Sequence, residues 1–229
     1  MEKDQKQYTS ISKQALRRLP YYLNYLKRLR ESGVDKVSST MIAKEMSLND
    51  VQVRKDLAAV SKIGGKPRKG FDIEELIMCI ESYLGYNNIN DAILVGAGHL
   101  GRALLSYTGF EDYGLRIVAA FDIDENVVNT NIGGKIVFPM DKLSDICNRL
   151  NIHIGIITVP ASAAQSVCDL MVESGIIAIW NFAPVHLSVN ENVIVHNENI
   201  AESLALLSSQ LAARLNQKKN NLCIKENPV

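Results

Sequence analysis

The stretch DAILVGAGHLGRALL, residues 91–105, constrains the fold more than any other part of the chain. An apolar run over 91–95 leads directly into Gly96-Ala97-Gly98-His99-Leu100-Gly101, and an apolar helix is expected from Arg102 onward. In the order strand, GxGxxG, helix, each glycine has its own duty. The first allows a tight turn, the second lets the backbone approach a pyrophosphate, and the third lets helix and strand pack closely. Unsatisfied N–H groups at the helix start then attract phosphate. A second apolar run, 115–121, ends in Asp122, about twenty residues past the glycines, where a carboxylate accepts hydrogen bonds from a ribose 2′-hydroxyl. An acid there repels a 2′-phosphate, so the expected cofactor is NAD(H) rather than NADP(H).

The alternation of strand and helix continues. Residues 154–159 read as a fully apolar strand ending at Pro160, 163–173 as a helix, and 175–179 as a strand running into Trp180-Asn181-Phe182-Ala183-Pro184. This is the pattern of a Rossmann parallel sheet, whose strands end at the ligand crevice. Thr158, Val159, Pro160, Asn181 and Pro184 therefore join the glycine loop as candidate cofactor residues, with Asn181 equally readable as a turn cap. No acid–base set accompanies them. His153 falls at the wrong end of a strand, His186 follows the crevice loop, and His99 lies within the glycine loop. The four His are too dispersed to bind a metal, and a non-enzymatic role is expected.

The first third of the chain has different chemistry. Leu16, Leu19, Leu23, Leu26 and Leu29 mark one face of a helix, with a kink or break expected at Pro20. Ser38, Ser39 and Thr40 supply N-cap hydroxyls for a short second helix with Met41, Ile42 and Met46 on its apolar side. Asn49 or Asp50 caps a third helix, 51–60, which buries Val53, Leu57 and Val60 and leaves Gln52, Arg54, Lys55 and Asp56 off that stripe. A short helix, a tight turn and another short helix form a helix-turn-helix, whose second helix enters a major groove. Gly64-Gly65-Lys66-Pro67-Arg68-Lys69-Gly70-Phe71 then reads as a basic wing, and 73–84 as a helix leading to a linker at 85–88. Candidate DNA contacts are Ser38, Ser39, Gln52, Arg54, Lys55, Lys62, Lys66, Arg68 and Lys69.

Charge supports two jobs in one chain. The net charge is zero, yet residues 1–85 carry 16 Lys and Arg against 11 Asp and Glu, and the remainder carries 9 against 14. A basic end suits a polyanion. No apolar run is long enough to span a membrane, and the polar start MEKDQKQYTS lacks a signal-peptide core, so a cytoplasmic protein is expected. The scattered Cys79, Cys147, Cys168 and Cys223 form no CxxC pair and read as reduced, mostly buried thiols. Near the end, Ile200, Leu204, Leu207, Leu211 and Leu215 form a helical stripe that needs a surface to cover. Helix-turn-helix proteins usually read two-fold operators as dimers, so a dimer helix is favoured. The expected division is 1–85 for DNA, 86–197 for dinucleotide and 198–229 for dimerisation.

Taken in order, RRLPYYLNYLKRL, GVDKVSS, QVRKDL, GAGHLGRALLSYTGF, RIVAAFDID, VPASAAQ, SGIIAIWNFAPV and ENI resemble the Rex family of redox-sensing transcriptional repressors, over about residues 10–215. The resemblance implies a homodimer with an N-terminal winged helix, a Rossmann domain and a C-terminal helix swapped into the partner subunit. It implies operator binding when NAD⁺ predominates, release by NADH, and no catalysis. By the same resemblance Tyr107 is the tyrosine that moves to shield reduced nicotinamide, and Arg54 and Lys55 are the recognition-helix basic pair. Two positions depart: Asn24 stands where the family usually has Arg, and Ala201 where it usually has Asp. Those side chains belong to a network that links the nicotinamide to domain orientation. Losing both avoids a stranded buried charge. The wing, AVSKIGGKPRKGF, also differs from the family's aromatic version. Two alternatives stay open beside the redox-responsive repressor: a paralogue that binds DNA and dinucleotide without reading redox state, and an NAD-dependent oxidoreductase.

Overall fold

The computed structural model describes residues 11–61, 70–86 and 90–225. Residues 64–69 of the expected basic wing, with Lys66, Arg68 and Lys69, lie outside the described residues, as do Lys62 before it and Asn87 and Asn88 of the expected linker; Gly70 and Phe71 are described. The chain divides into two units, Met1–Ile89 with Asp112–Gly114, and Asn90–Glu111 with Leu115–Val229.

In the first unit, α1 (Lys13–Glu31), β1 (Lys36–Val37), α2 (Ser39–Glu45), α3 (Asp50–Val60), β2 (Phe71–Asp72) and α4 (Ile73–Leu84) follow in order. Each helix opens on a side-chain cap. Ser12 accepts from the Ala15 N–H, Ser38 from Met41, Asn49 from Val51 and Asp72 from Glu75. A cap of this kind contributes about 1 kcal/mol. α1 packs on α4 and α2 on α3. Leu19, Leu23, Leu26, Ile42, Val53, Leu57, Leu76 and Ile80 form their shared core. The turn between α2 and α3 is closed by the Leu48 N–H on the Ala43 carbonyl, with Ser47 left-handed at φ 53°. β1 and β2 pair antiparallel, Val37 opposite Phe71.

Four expectations for this unit need correction. α1 runs unbroken through Pro20. Pro20 removes the partner of the Leu16 carbonyl, but Leu16 is exposed, so water can replace that bond. Leu16 therefore leaves the buried stripe, and Ala15 and Tyr22 join it. Similarly, Met41 is exposed and Ala43 takes its place in the core. Most consequentially, Asp56 is buried rather than set on the polar face.

The second unit is a seven-stranded sheet ordered β5-β6-β4-β3-β7-β8-β9. Its elements are β3 (Asn90–Val95), α5 (His99–Ser106), β4 (Leu115–Asp122), β5 (Asn131–Ile132), β6 (Lys135–Pro139), α6 (Leu143–Leu150), β7 (Ile154–Ile157), α7 (Ala161–Glu173), β8 (Ala178–Asn181), β9 (Ile194–Asn197) and α8 (Ile200–Lys225). Every pairing is parallel except β5 with β6. The unbroken apolar run of β3 reflects cover on both faces. Ile93 and Val95 pack with Phe121, Ile157, Cys168 and Met171 in one layer. Ala92 and Leu94 pack with Leu105, Ala120 and Ile156 in the other.

β3 lies between β4 and β7, so successive connections leave it in opposite directions, which opens a crevice at the strands' carboxyl ends. α5 begins at His99, inside the glycine motif, not at Arg102. β8 is displaced from the expected 175–179 because Gly175, at φ 92°, is still finishing the turn after α7. β5, β6, α6 and β9 have no counterpart in the sequence reading. α8 buries nothing over its described side chains: Leu204, Leu207, Leu211 and Leu215 are all more than half exposed.

Candidate functional site

The crevice is a cleft of about 670 Å³. It gathers Gly96, Ala97, Gly98, His99, Asp122, Thr158, Val159 and Pro160 from the expected cofactor residues. Leu100, Gly101, Tyr107, Asn181 and Pro184 are not part of its lining. Arg102, Ile123, Asp124 and Met140 are, and sequence reasoning missed them. Arg102 could have been found from its place one turn after Gly98, since its Nε donates to the Ala97 carbonyl at 3.1 Å and so sits at the loop.

The three glycines divide their work as the motif requires. Gly96 has φ 99°, and a Cβ there would lie 2.8–2.9 Å from Val159 and Thr158. A Cβ on Gly101 would run into the Gly96 carbonyl oxygen. Around Gly98 there is open space, so a side chain there would meet no protein atom and would take up room in the cleft. Thr158 ties β7 to this loop, its Oγ1 lying 2.7 Å from the Gly96 carbonyl and 3.0 Å from that of Val95.

Gly98 is the N-cap of α5 and supplies no side-chain cap. The first N–H groups of the helix therefore lack the usual internal partner, which suits an anion. On the other side of the cleft the Asp122 carboxylate accepts from the backbone N–H of Ala97 (2.6 Å), Ile123 (2.7 Å) and Asp124 (3.0 Å). An ionised carboxylate has about four acceptor positions, so one remains for a ligand hydroxyl.

Tyr107 caps the other end of α5 and is half exposed. Its ring meets Phe110 edge-on at 4.8 Å, and Phe110 meets Trp180 at 5.8 Å. Trp180 Nε1 donates to Glu198 at 3.0 Å, just ahead of α8. Asn181 is fully buried, and its polar atoms are engaged locally. Its amide nitrogen donates toward Ala183, Val185 and Asn197, and its oxygen accepts from the Ala183 N–H. That network holds the strand-end loop. The buried Cys147 and Cys168 thiols have raised pKa values through desolvation, Cys147 to about 11, which keeps them protonated.

In the first unit, α3 exposes Gln52, Arg54 and Lys55 together. Arg54 pairs with Asp50 at 3.0 Å on the same exposed face. Ser38 uses its oxygen to cap α2, accepting from the Met41 N–H, and Ser39 begins that helix half-buried. Beneath α3, the buried Asp56 carboxylate receives four side-chain hydrogen bonds. Arg18 Nε (2.7 Å) and Tyr22 Oη (2.9 Å) donate to Oδ2, while Arg18 Nη2 (2.9 Å) and Gln52 Nε2 (2.9 Å) donate to Oδ1. Burial pushes the Asp56 pKa up, but the hydrogen bonds from Arg18, Gln52 and Tyr22 outweigh it and leave it below the usual carboxylate range. Burial, then the neighbouring Asp56, push the Tyr22 phenol up to about 12.

A family model described as "CoA binding domain" matches residues 87–185, and one described as "Putative DNA-binding protein N-terminus" matches residues 10–58. A relative named redox-sensing transcriptional repressor Rex in Bacteroides fragilis is 40% identical over 206 residues, 90% of this chain and 93% of its own. The Treponema denticola relative of the same name is 41% identical over 193 residues, 84% and 91% of the two chains. The chain belongs to the Rex family. Its fold is similar to the crystal structure of the Rex-family repressor RSP in complex with beta-NAD⁺ and operator DNA, with a TM-score of 0.83, 33% identity, and 96% and 100% of the chains covered. RSP in complex with beta-NADH gives a TM-score of 0.81 at 34% identity, covering 92% and 99%. The Rex relatives are named as repressors, not enzymes. Asn24 on α1 and Ala201 on α8, the two positions expected to depart from the Rex pattern, are both exposed.

Proposed function

We propose that this chain is a transcriptional repressor that holds NAD(H) in the glycine cleft and operator DNA against α3, with the NADH/NAD⁺ balance setting operator affinity. The observation that carries this is a single fold, matched over nearly the whole chain, that in RSP holds both beta-NAD⁺ and operator DNA. The residues fit that cargo. The start of α5 and the space at Gly98 accept the pyrophosphate, and Asp122 keeps one acceptor position for a ribose hydroxyl. Leu100 and Gly101 belong to the same loop, and Thr158, Val159 and Pro160 form the wall toward the nicotinamide, with Tyr107, Asn181 and Pro184 beyond it. Arg54, Lys55 and Gln52 contact the major groove, Ser38 and Ser39 contact phosphate, and Lys62, Lys66, Arg68 and Lys69 follow the backbone.

The leucine face of α8 supports a homodimer, with residues 198–229 crossing to the partner subunit, and a dimer matches a two-fold operator. No helix among the described residues is long and apolar enough to cross a membrane. The cytoplasm, where NAD(H) and operator DNA meet, is the proposed location. Replacing Leu207 and Leu211 by Asp is expected to give a one-chain mass by sedimentation, where the unaltered protein sediments at two. A one-chain mass for the unaltered protein overturns the dimer.

A second reading is motivated by Asn24 and Ala201. Both are exposed, and neither brings a charge to the network expected of the Rex family. On that reading the dinucleotide is bound yet its redox state does not reach the DNA. Operator titration at fixed salt with NAD⁺, NADH or no cofactor separates the two: equal affinity in all three supports the second reading, and weakening by NADH the first.

A further inference from the structure

We propose that Gln52 is the base-reading residue of α3 for an adenine in each operator half-site, and that the buried Asp56 is the positioning residue that sets the sense of its amide. This deepens the DNA-binding reading above and rests on it. The Asp56 carboxylate has no spare capacity. All four of its acceptor positions are used, two by Arg18, one by Tyr22 and one by Gln52.

Three of these bonds reach Asp56 from α1, 34 or 38 positions away in sequence, and serve to fasten α3 to α1. The fourth, from Gln52, joins an exposed side chain to the same buried anchor one helical turn away. A free glutamine amide has two flips of nearly equal energy. Here the alternative flip would set Gln52 Oε1 2.9 Å from a carboxylate oxygen, acceptor against acceptor, and is excluded. Nε2 is thus held toward Asp56 by one of its two protons. What remains is Oε1 together with the second N–H.

A neighbouring acceptor and donor on one planar amide match the adenine edge in the major groove, where N6–H donates and N7 accepts. Guanine offers two acceptors at that edge and cannot satisfy Oε1. Because the amide is held before DNA arrives, little side-chain freedom is lost on binding. Arg54 and Lys55 on the same helix carry only donors, so they suit guanine or phosphate and leave adenine to Gln52.

The test is selection from a duplex library with a randomised two-fold half-site, followed by sequencing, at fixed salt. The unaltered protein is expected to select adenine at one position per half-site. Gln52→Met, which keeps length and removes both polar atoms at an exposed position, is expected to lose that preference alone and to weaken binding to the selected site roughly tenfold. Asp56→Asn is expected to relax the same position while the dependence of binding on salt is kept, since phosphate contacts are untouched. Tyr22→Phe removes a structural bond without touching Gln52 and is expected to leave the base preference intact. Unchanged preference in Gln52→Met overturns the proposal, as does uniform loss at every position. Undiminished adenine preference in a folded Asp56→Asn overturns the role of Asp56. If Asp56→Asn does not fold, Gln52→Met decides. Failure of the unaltered protein to retain any duplex overturns the DNA-binding reading itself, whereas retention without an adenine position overturns only this inference.

Discussion

Two aspartates anchor the two recognition surfaces, and they are held in opposite ways. Asp122 is fixed by three backbone N–H groups from its own strand end and the glycine loop. Its geometry is set by main chain, and one acceptor position is left over for a ligand. Asp56 is fixed by side chains from α1 and from α3 itself, and it has no position left. One carboxylate keeps an acceptor position open to the cleft, and the other spends all of its positions on holding a helix. A surface made from backbone is pre-set by the fold, while a surface made from side chains depends on the partners beneath it.

This contrast can be broken where it costs most. Asp56→Ala leaves Arg18 and the Tyr22 hydroxyl without their shared acceptor. Arg18 retains 23% of its side-chain exposure, so the loss is expected at the low end for a buried pair, about 3 kcal/mol in urea unfolding. A loss under about 1 kcal/mol, the range of surface pairs, would make Asp56 an ordinary surface acid. Asp122→Ala should act differently. It is expected to weaken NADH binding by about 1.5–3 kcal/mol, the worth of a hydrogen bond to a charged group, while cofactor-free operator binding stays as it was. Equal NADH affinity in calorimetry would remove Asp122 from the site.

The smallest effect is a dependence on alkaline pH. The Tyr22 pKa is raised in the folded protein, from 10.0 to about 12, so the native state keeps a proton that the unfolded chain loses. The stabilisation is complete below pH 10 and disappears as pH rises toward 12. The Asp56 contribution has the opposite sign: it is present above the ordinary carboxylate range and lost as pH falls through its lowered value. Thermal unfolding between pH 9 and 12 should show an alkaline decline that is smaller in Tyr22→Phe. The same decline in both would assign it to other groups.

The difference between the two aspartates also explains what could be read from the sequence. The place of Asp122 in the cleft was legible because it follows from spacing: a strand, a glycine loop and an acid about twenty residues on form one local pattern. The helix caps were legible to within a residue or two: the sequence offered Ser38, Ser39 or Thr40 for α2 and Asn49 or Asp50 for α3, and the structure uses Ser38 and Asn49. Asp56 was not, because its burial depends on Arg18 and Tyr22, which no periodicity joins to it. The polar type of a residue suggested exposure, and a tertiary network reversed it. Short pieces of the sheet such as β5 and β9 were missed because two to four residues carry no periodic signal. The Leu204–Leu207–Leu211–Leu215 stripe shows the complementary limit. Its spacing is that of the Leu19–Leu23–Leu26 face of α1, which is buried, yet on α8 the same pattern is exposed. Periodicity gives the helix and its apolar face, but not what covers that face.

Whether the dinucleotide cleft governs the DNA surface is decided most directly by titrating operator duplex with the full-length protein at one fixed salt concentration, with NAD⁺, with NADH and without cofactor. A repressor that reads redox state binds tightly with NAD⁺ and at least tenfold more weakly with NADH, which is a coupling of about 1.4 kcal/mol. Superimposable curves in all three conditions would contradict it, and would mean that the cleft and α3 work without reporting to each other.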